Sequence, residues 1–230
     1  MTSSKEDLRA AFVPKRLSRQ ESNKAAEHLR RLDMYRRAGQ VFASPAPELL
    51  QLRVNALADG KELVMPGPGL KEGFYLLAPY VLPFQELAFA VTLKGLLQYG
   101  RRLERRDIPG LGIELMLTEA VAVDQAGGRL GQGKGFFDLG CAALFELDAV
   151  SGENQIVGVV AERQIAPHDL PLDPWDVRLH GLLTPEGYRK TALSSQAPPT
   201  IHWEVLPFKR VRKLTPVWQV YQKKHPLPRK

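Results

Sequence analysis

The chain has 230 residues, 44% hydrophobic and 25% charged, enough for one sizeable core and typical of a soluble globular protein. No apolar run is long enough to span a membrane, and the single Cys141 excludes an intramolecular disulfide and a cysteine-rich zinc site. The net charge of +7 is uneven: from Lys209 onward there are eight Lys and Arg and no acid, so everything before nets −1.

That basic stretch reads first as a solvated extension anchored by Trp218 and Tyr221. Contact with nucleic acid or another polyanion is the alternative. The opening, MTSSKEDLRAAF, is charged and helical in pattern with no signal-peptide core, so a cytoplasmic location is expected.

Taken in order, residues 4–38 predict helix interrupted near Pro14, with Ser ahead of an acidic first turn as the N-cap. QVFASP predicts a short strand. PELLQLRVNALADG predicts an amphipathic helix stopped by Gly60, and KELVMP a second strand. PGPGLKEGFYLLAP reads as a loop, and RRLERRD as an exposed charged cluster. ELMLTEAVAVD predicts a buried strand running straight into a glycine loop. FFDLGCAALFELDAV then predicts a helix, with QIVGVVA, HGLLTP and IHWEVL as further strands. Strands alternating with helices imply an α/β fold with a mainly parallel central sheet. SSQAPPT reads as a linker, dividing a body of residues 1–193 from a C-terminal basic extension, 194–230.

The stretch GGRLGQGKGFFDLG, residues 127–140, carries the chemistry. Strand, glycine loop and helix together present backbone N–H groups and a helix N-terminus to an anion. Gly131, Gly133 and Gly135 leave room for phosphate oxygens, Lys134 and Arg129 supply charge, and Asp138 in the first helical turn is placed to hold a metal ion. The loop departs from a P-loop, since Gly135 follows Lys134 where Ser or Thr would bind magnesium. It departs from a dinucleotide fingerprint because Phe136 stands at the third glycine.

RLGQGKGFFD closely resembles the RLGxGxGYYD signature of the 5-formyltetrahydrofolate cyclo-ligase family. Lys5-Glu-Asp-Leu8-Arg9, ADGKELVMP, Gln164 and Asp176 follow that family's order, over about residues 4–190. The resemblance implies a three-layer αβα sandwich like ribose-5-phosphate isomerase and the CoA transferases. It also implies use of ATP and Mg²⁺ to turn 5-formyltetrahydrofolate into 5,10-methenyltetrahydrofolate. Lys5, Arg9, Arg129 and Lys134 would then hold triphosphate, and Gly131, Gly133 and Gly135 would form the backbone cradle. Asp138 would bind Mg²⁺, and Phe136 would lie near the formyl group.

The pattern differs in places. Phe136 and Phe137 replace two tyrosines, Gln132 replaces a basic residue or tyrosine, and SPAPELLQ, with Glu48, stands where a Glu-Val-x-Thr folate-contacting stretch belongs. PGPGLKEGFYLL and IHWEVL, with Trp203, resemble a paralogous branch, one relative in which carries an RNA-recognition module. The alternative is therefore a divergent paralog that binds nucleotide or phosphate, with RNA or a protein as partner. His168 and Asp169 read as a surface turn, Cys141 as packed rather than nucleophilic, and His180 and His202 as structural. Trp175 and Trp203 are packing residues or stacking surfaces for a ring.

Overall fold

The computed structural model describes residues 4–12, 16–193 and 197–226, so the break expected near Pro14 and part of the SSQAPPT linker lie outside the described residues. The N-terminal segment forms three helices: α1 (Lys5–Phe12), α2 (Arg19–Arg30) and α3 (Asp33–Arg37). Ser4 and Asp7 bond each other's backbone N–H at the start of α1, at 3.1 and 3.2 Å. Ser18 and Glu21 form a capping box on α2.

The chain continues through β1 (Gln40–Ala43), α4 (Leu50–Ala58), β2 (Glu62–Pro66), β3 (Phe74–Leu77), α5 (Phe84–Ala90), α6 (Leu93–Tyr99) and β4 (Arg101–Arg102). After these come β5 (Ile113–Glu119), β6 (Ala122–Val123), β7 (Arg129–Leu130), α7 (Phe136–Glu146), β8 (Val150–Val159), β9 (Gly181–Thr184) and β10 (Gly187–Lys190). The chain closes with α8 (Phe208–Val211) and α9 (Thr215–Lys224).

Among the described residues eight strands form one sheet in the order β10-β9-β8-β5-β1-β2-β3-β4. β9, β8, β5, β1 and β2 run parallel, and antiparallel strands close both edges. Side chains alternate between faces. Phe42, Val64, Met116 and Ile156 join the core beneath α7 and α9, while Val41, Leu63, Leu115 and Val157 join the one beneath α2 and α4. Apolar residues on both faces make the parallel strands read as continuous hydrophobic runs. The result is the α/β sandwich expected from the sequence.

Three local expectations need correction. The strand at ELMLTEAVAVD stops at Glu119, and the small antiparallel pair β6–β7 intervenes before the loop. Asp124 folds that hairpin, accepting the Gly128 N–H at 2.7 Å and the Leu170 N–H at 2.8 Å. PGPGLKEGFYLLAP contains β3, whose residues are all buried, so it is not loop throughout. IHWEVL is not a strand: Ile201 donates its N–H to the Glu146 carboxylate at 2.8 Å, and Trp203–Val205 make a 3₁₀ turn. Of its period-two apolar residues, Ile201 is buried and Trp203 packs against the core, but Val205 is 49% exposed, and Pro207 lacks the donor a ladder requires.

The basic extension is no loose tail over its described part. Val211, Leu214, Val217 and Val220 are buried in the core shared with α7. Lys223 pairs with Asp148 at 2.7 Å and Lys224 pairs with Glu146, placing cations at the C-terminal end of α7. No helix among the described residues is long and apolar enough to cross a membrane.

Candidate active site

The strand order reverses at β1, which sends the chain to β2 on one side and receives β5 on the other. In open α/β sheets the crevice beyond the carboxyl ends of such strands is where ligands bind. Here it holds a cleft of ≈ 520 Å³, reached by Ser44 after β1, Pro66 at the end of β2, Glu119 at the end of β5 and the whole glycine loop. Arg53 fastens the turn after β1 from within the core. It is 2% exposed and donates to the carbonyls of Ser44 at 2.6 Å and Ala46 at 2.8 Å. Burial lowers its pKa to about 10.

The loop Gly131–Gly135 enters α7 through Gly135, whose φ of +62° lies in the left-handed region that favours glycine; Gly133 is similar at +84°. Gly135 is the N-cap residue and carries no side chain to cap the helix. The first turn of α7 therefore has no N-cap side chain on its N–H groups, where the helix dipole favours an anion.

The four expected phosphate-binding cations differ in their surroundings. Lys134 and Arg9 make no ion pair among the described residues, and both line the cleft. Arg9 in α1 reaches across to the loop, its Nε donating to the Gly131 carbonyl at 2.9 Å. Lys5, one turn earlier, also lines the cleft, but its ammonium is held by Asp173 at 2.6 Å and by Asp176. Burial disfavours the charged Lys5, yet hydrogen bonds to the two carboxylates outweigh that and raise its pKa.

Arg129 is buried. Its Nη2 donates to both carboxylate oxygens of Asp138, at 2.8 and 2.9 Å, and the guanidinium lies 4.6 Å from the centre of the Phe137 ring. Burial opposes its charge, but Asp138 more than compensates and its pKa is raised.

Asp138, expected to bind the metal, is thus occupied by Arg129 and also accepts the Val177 N–H at 3.1 Å. No group of three His, Cys, Asp or Glu suited to a metal ion occurs among the described residues. These side chains do not build a protein cage for Mg²⁺, an ion often carried mainly by substrate phosphates and water. Phe136 is 37% exposed on the cleft wall, its ring edge 3.6 Å from where a Cβ on Gly69 would stand.

A sequence model of the 5-formyltetrahydrofolate cyclo-ligase family matches residues 3–185. The chain belongs to that family. A human methenyltetrahydrofolate synthase domain-containing protein is 26% identical over 196 residues, covering 83% of this chain and 50% of that protein. The chain spans about half the length of this relative and of its bovine counterpart. A probable 5-formyltetrahydrofolate cyclo-ligase from Schizosaccharomyces pombe is 36% identical over 77 residues, 32% of this chain and 38% of that one. The solved structure of Aquifex aeolicus 5,10-methenyltetrahydrofolate synthetase superposes with a TM-score of 0.53 at 21% identity, covering 88% of this chain and 97% of that one. The Mycoplasma pneumoniae 5,10-methenyltetrahydrofolate synthetase gives a TM-score of 0.51 at 16% identity, covering 80% and 99%. At such identities these superpositions show a shared fold.

Within this family fold the cleft gathers every site residue that the resemblance proposes, from the signature and from KEDLR: Lys5, Arg9, Arg129, Gly131, Gly133, Lys134, Gly135, Phe136 and Asp138. Asp176 and Trp175 are there as well. Glu48 lies off the cleft, 3.7 Å from Arg16, and Gln164 is buried, holding the Ala161 N–H and the Ala120 carbonyl. Cys141 is packed against Met116, and burial raises its pKa, which makes it a poor nucleophile. His168 and Asp169 are exposed on a turn, as expected.

Sequence reasoning missed Glu119 and Ser44, which hydrogen-bond to each other at the cleft floor. The signal was available: an acid ending an otherwise buried apolar strand, and a serine ending another.

Proposed function

We propose that this chain catalyses ATP-dependent conversion of 5-formyltetrahydrofolate to 5,10-methenyltetrahydrofolate, ADP and phosphate, in the cytoplasm, with Mg²⁺ entering on the nucleotide. The observation that carries the reading is the uncapped start of α7 at the switch-point cleft. Lys134 makes no ion pair there among the described residues, and Arg9 of α1 is folded onto the loop.

In this reading the formyl oxygen attacks the γ-phosphorus and the bond to ADP breaks. N10 then adds to the activated carbon and loses its proton to solvent, and the C–O bond breaks to release phosphate. The residues need only hold and neutralise: Lys134, Arg9 and the first-turn N–H groups of α7 bind the polyphosphate. Lys5 acts beside them, its charge moderated by two carboxylates. Arg129 supports the cradle from within, and Phe136 offers an apolar wall for the folate ring system.

The test is to mix full-length protein with 5-formyltetrahydrofolate, ATP and Mg²⁺ and follow methenyltetrahydrofolate absorbance. Wild type is expected to form ATP-dependent product, and Lys134→Ala to lose most of it through weakened nucleotide binding. Product formed equally by Lys134→Ala would overturn the site assignment.

A second reading is favoured by Glu48, which pairs with Arg16 rather than lining the cleft, and by the two phenylalanines of the signature. On that reading the loop binds nucleotide or phosphate without cyclo-ligase chemistry, and the basic C-terminal segment recruits RNA or a protein. It expects bound ATP without product. Salt-dependent RNA binding that is lost on changing the exposed Lys209, Arg212 and Lys213 to Gln, with the thermal midpoint unchanged, would support the RNA version.

A further inference from the structure

We infer that Arg210, from the C-terminal helical segment, is a positioning residue of the phosphate loop. The inference rests on the nucleotide-binding reading and adds a residue beyond the 3–185 stretch that the family model matches. Val211 is buried in the core, whereas its neighbour Arg210 reaches the loop, where Nη2 donates to the carbonyl oxygen of Lys134. The same nitrogen lies 3.8 Å from where a Cβ on Gly135 would be. Arg210 makes no ion pair among the described residues, so its charge remains available to an anion.

The physical consequence follows from peptide geometry. A trans peptide points its C=O and N–H in opposite directions. Drawing the Lys134 carbonyl toward Arg210 therefore turns the Gly135 N–H away from it. Gly135 tolerates either sign of φ, so the backbone itself restrains this peptide little. Arg210 supplies that restraint. It does so at the edge of a second cavity of ≈ 250 Å³ between the loop and the C-terminal segment, lined in part by Gly133, Lys134, Trp175, His202 and Leu206. The loop thus has cavities on two fronts, and Arg210 belongs to the one the extension creates.

The experiment titrates full-length wild type, Arg210→Ala, Arg210→Lys and a control, Arg212→Ala, with MgATP, AMP and inorganic tripolyphosphate, and records thermal midpoints. Arg210→Ala is expected to weaken ATP and tripolyphosphate about tenfold, the scale of one charge-assisted hydrogen bond, with little effect on AMP. Arg210→Lys should recover most of the affinity, Arg212→Ala should match wild type, and the midpoints should agree. If wild type binds ATP and Arg210→Ala binds it equally, the Arg210 role alone is overturned. A loss equal for ATP and AMP, accompanied by a lower midpoint, overturns it too, since that is what a purely structural contact would give. If wild type binds neither ATP nor tripolyphosphate, the nucleotide reading falls and takes this one with it.

Discussion

Arg129 with Asp138 and Lys5 with Asp173 and Asp176 line the same cleft, yet they are built differently. The first pair is nearly sealed, with side chains 4% and 13% exposed; in the second cluster Lys5 is 21% exposed and Asp173 44%. A buried guanidinium must keep its partner, because an uncompensated buried charge is strongly destabilising. A cation in a wet cleft can exchange partners at small cost. On the nucleotide-binding reading, Arg129–Asp138 supports the loop and Lys5 brings an adjustable charge, although the resemblance gave both cations the same triphosphate-holding role.

The sharpest way to break this contrast is Asp138→Ala, which strands Arg129. Urea unfolding should show a loss of about 3–5 kcal/mol, and a loss below about 1 kcal/mol would mean the pair is no keystone. Next in size is Gly131→Ala. A Cβ there would come within 2.9 Å of the Arg129 guanidinium, which Asp138 pins, so about 1–3 kcal/mol should be lost by the same measure.

At the other cluster, Lys5→Ala should change stability by less than about 1 kcal/mol while weakening ATP binding measured by titration. Asp173→Asn should do the reverse of Lys5→Ala for affinity, tightening ATP binding about two- to threefold by freeing Lys5. A tighter Lys5→Ala or a weaker Asp173→Asn would refute the adjustable-charge role.

The smallest expected effect lies away from the cleft and serves as a control. His180 accepts the Ile156 N–H of β8 on Nδ1 at 3.0 Å, a bond that requires the neutral ring. Burial, with Lys190 adding to it, holds its pKa below the ordinary 6.5. Its stabilisation is therefore present above pH 6.5 and lost as pH falls through the lowered value. His180→Gln should flatten the fall in thermal midpoint between pH 7 and 5, and an unchanged slope would remove His180 from that account.

How far the site was legible follows from the same residues. RLGQGKGFFD marked the loop and the helix start because glycines, a cation and a helical pattern are local features. The parallel strands were legible as apolar runs such as QIVGVVA, since burial on both faces leaves no alternation. β3 was obscured by surrounding glycines and prolines, and α5 and α6 by short apolar stretches without a clean period.

By itself, then, the sequence determined the α/β alternation, the glycine loop before α7 and the family, because each is written in neighbouring residues. Only the tertiary structure decided which of these cations find partners among the described residues. Lys5 meets Asp173 and Asp176, separated from it by 168 and 171 positions, and Arg210 meets Lys134 across 76. Such partners are chosen by distance through space, and no periodicity along the chain encodes that.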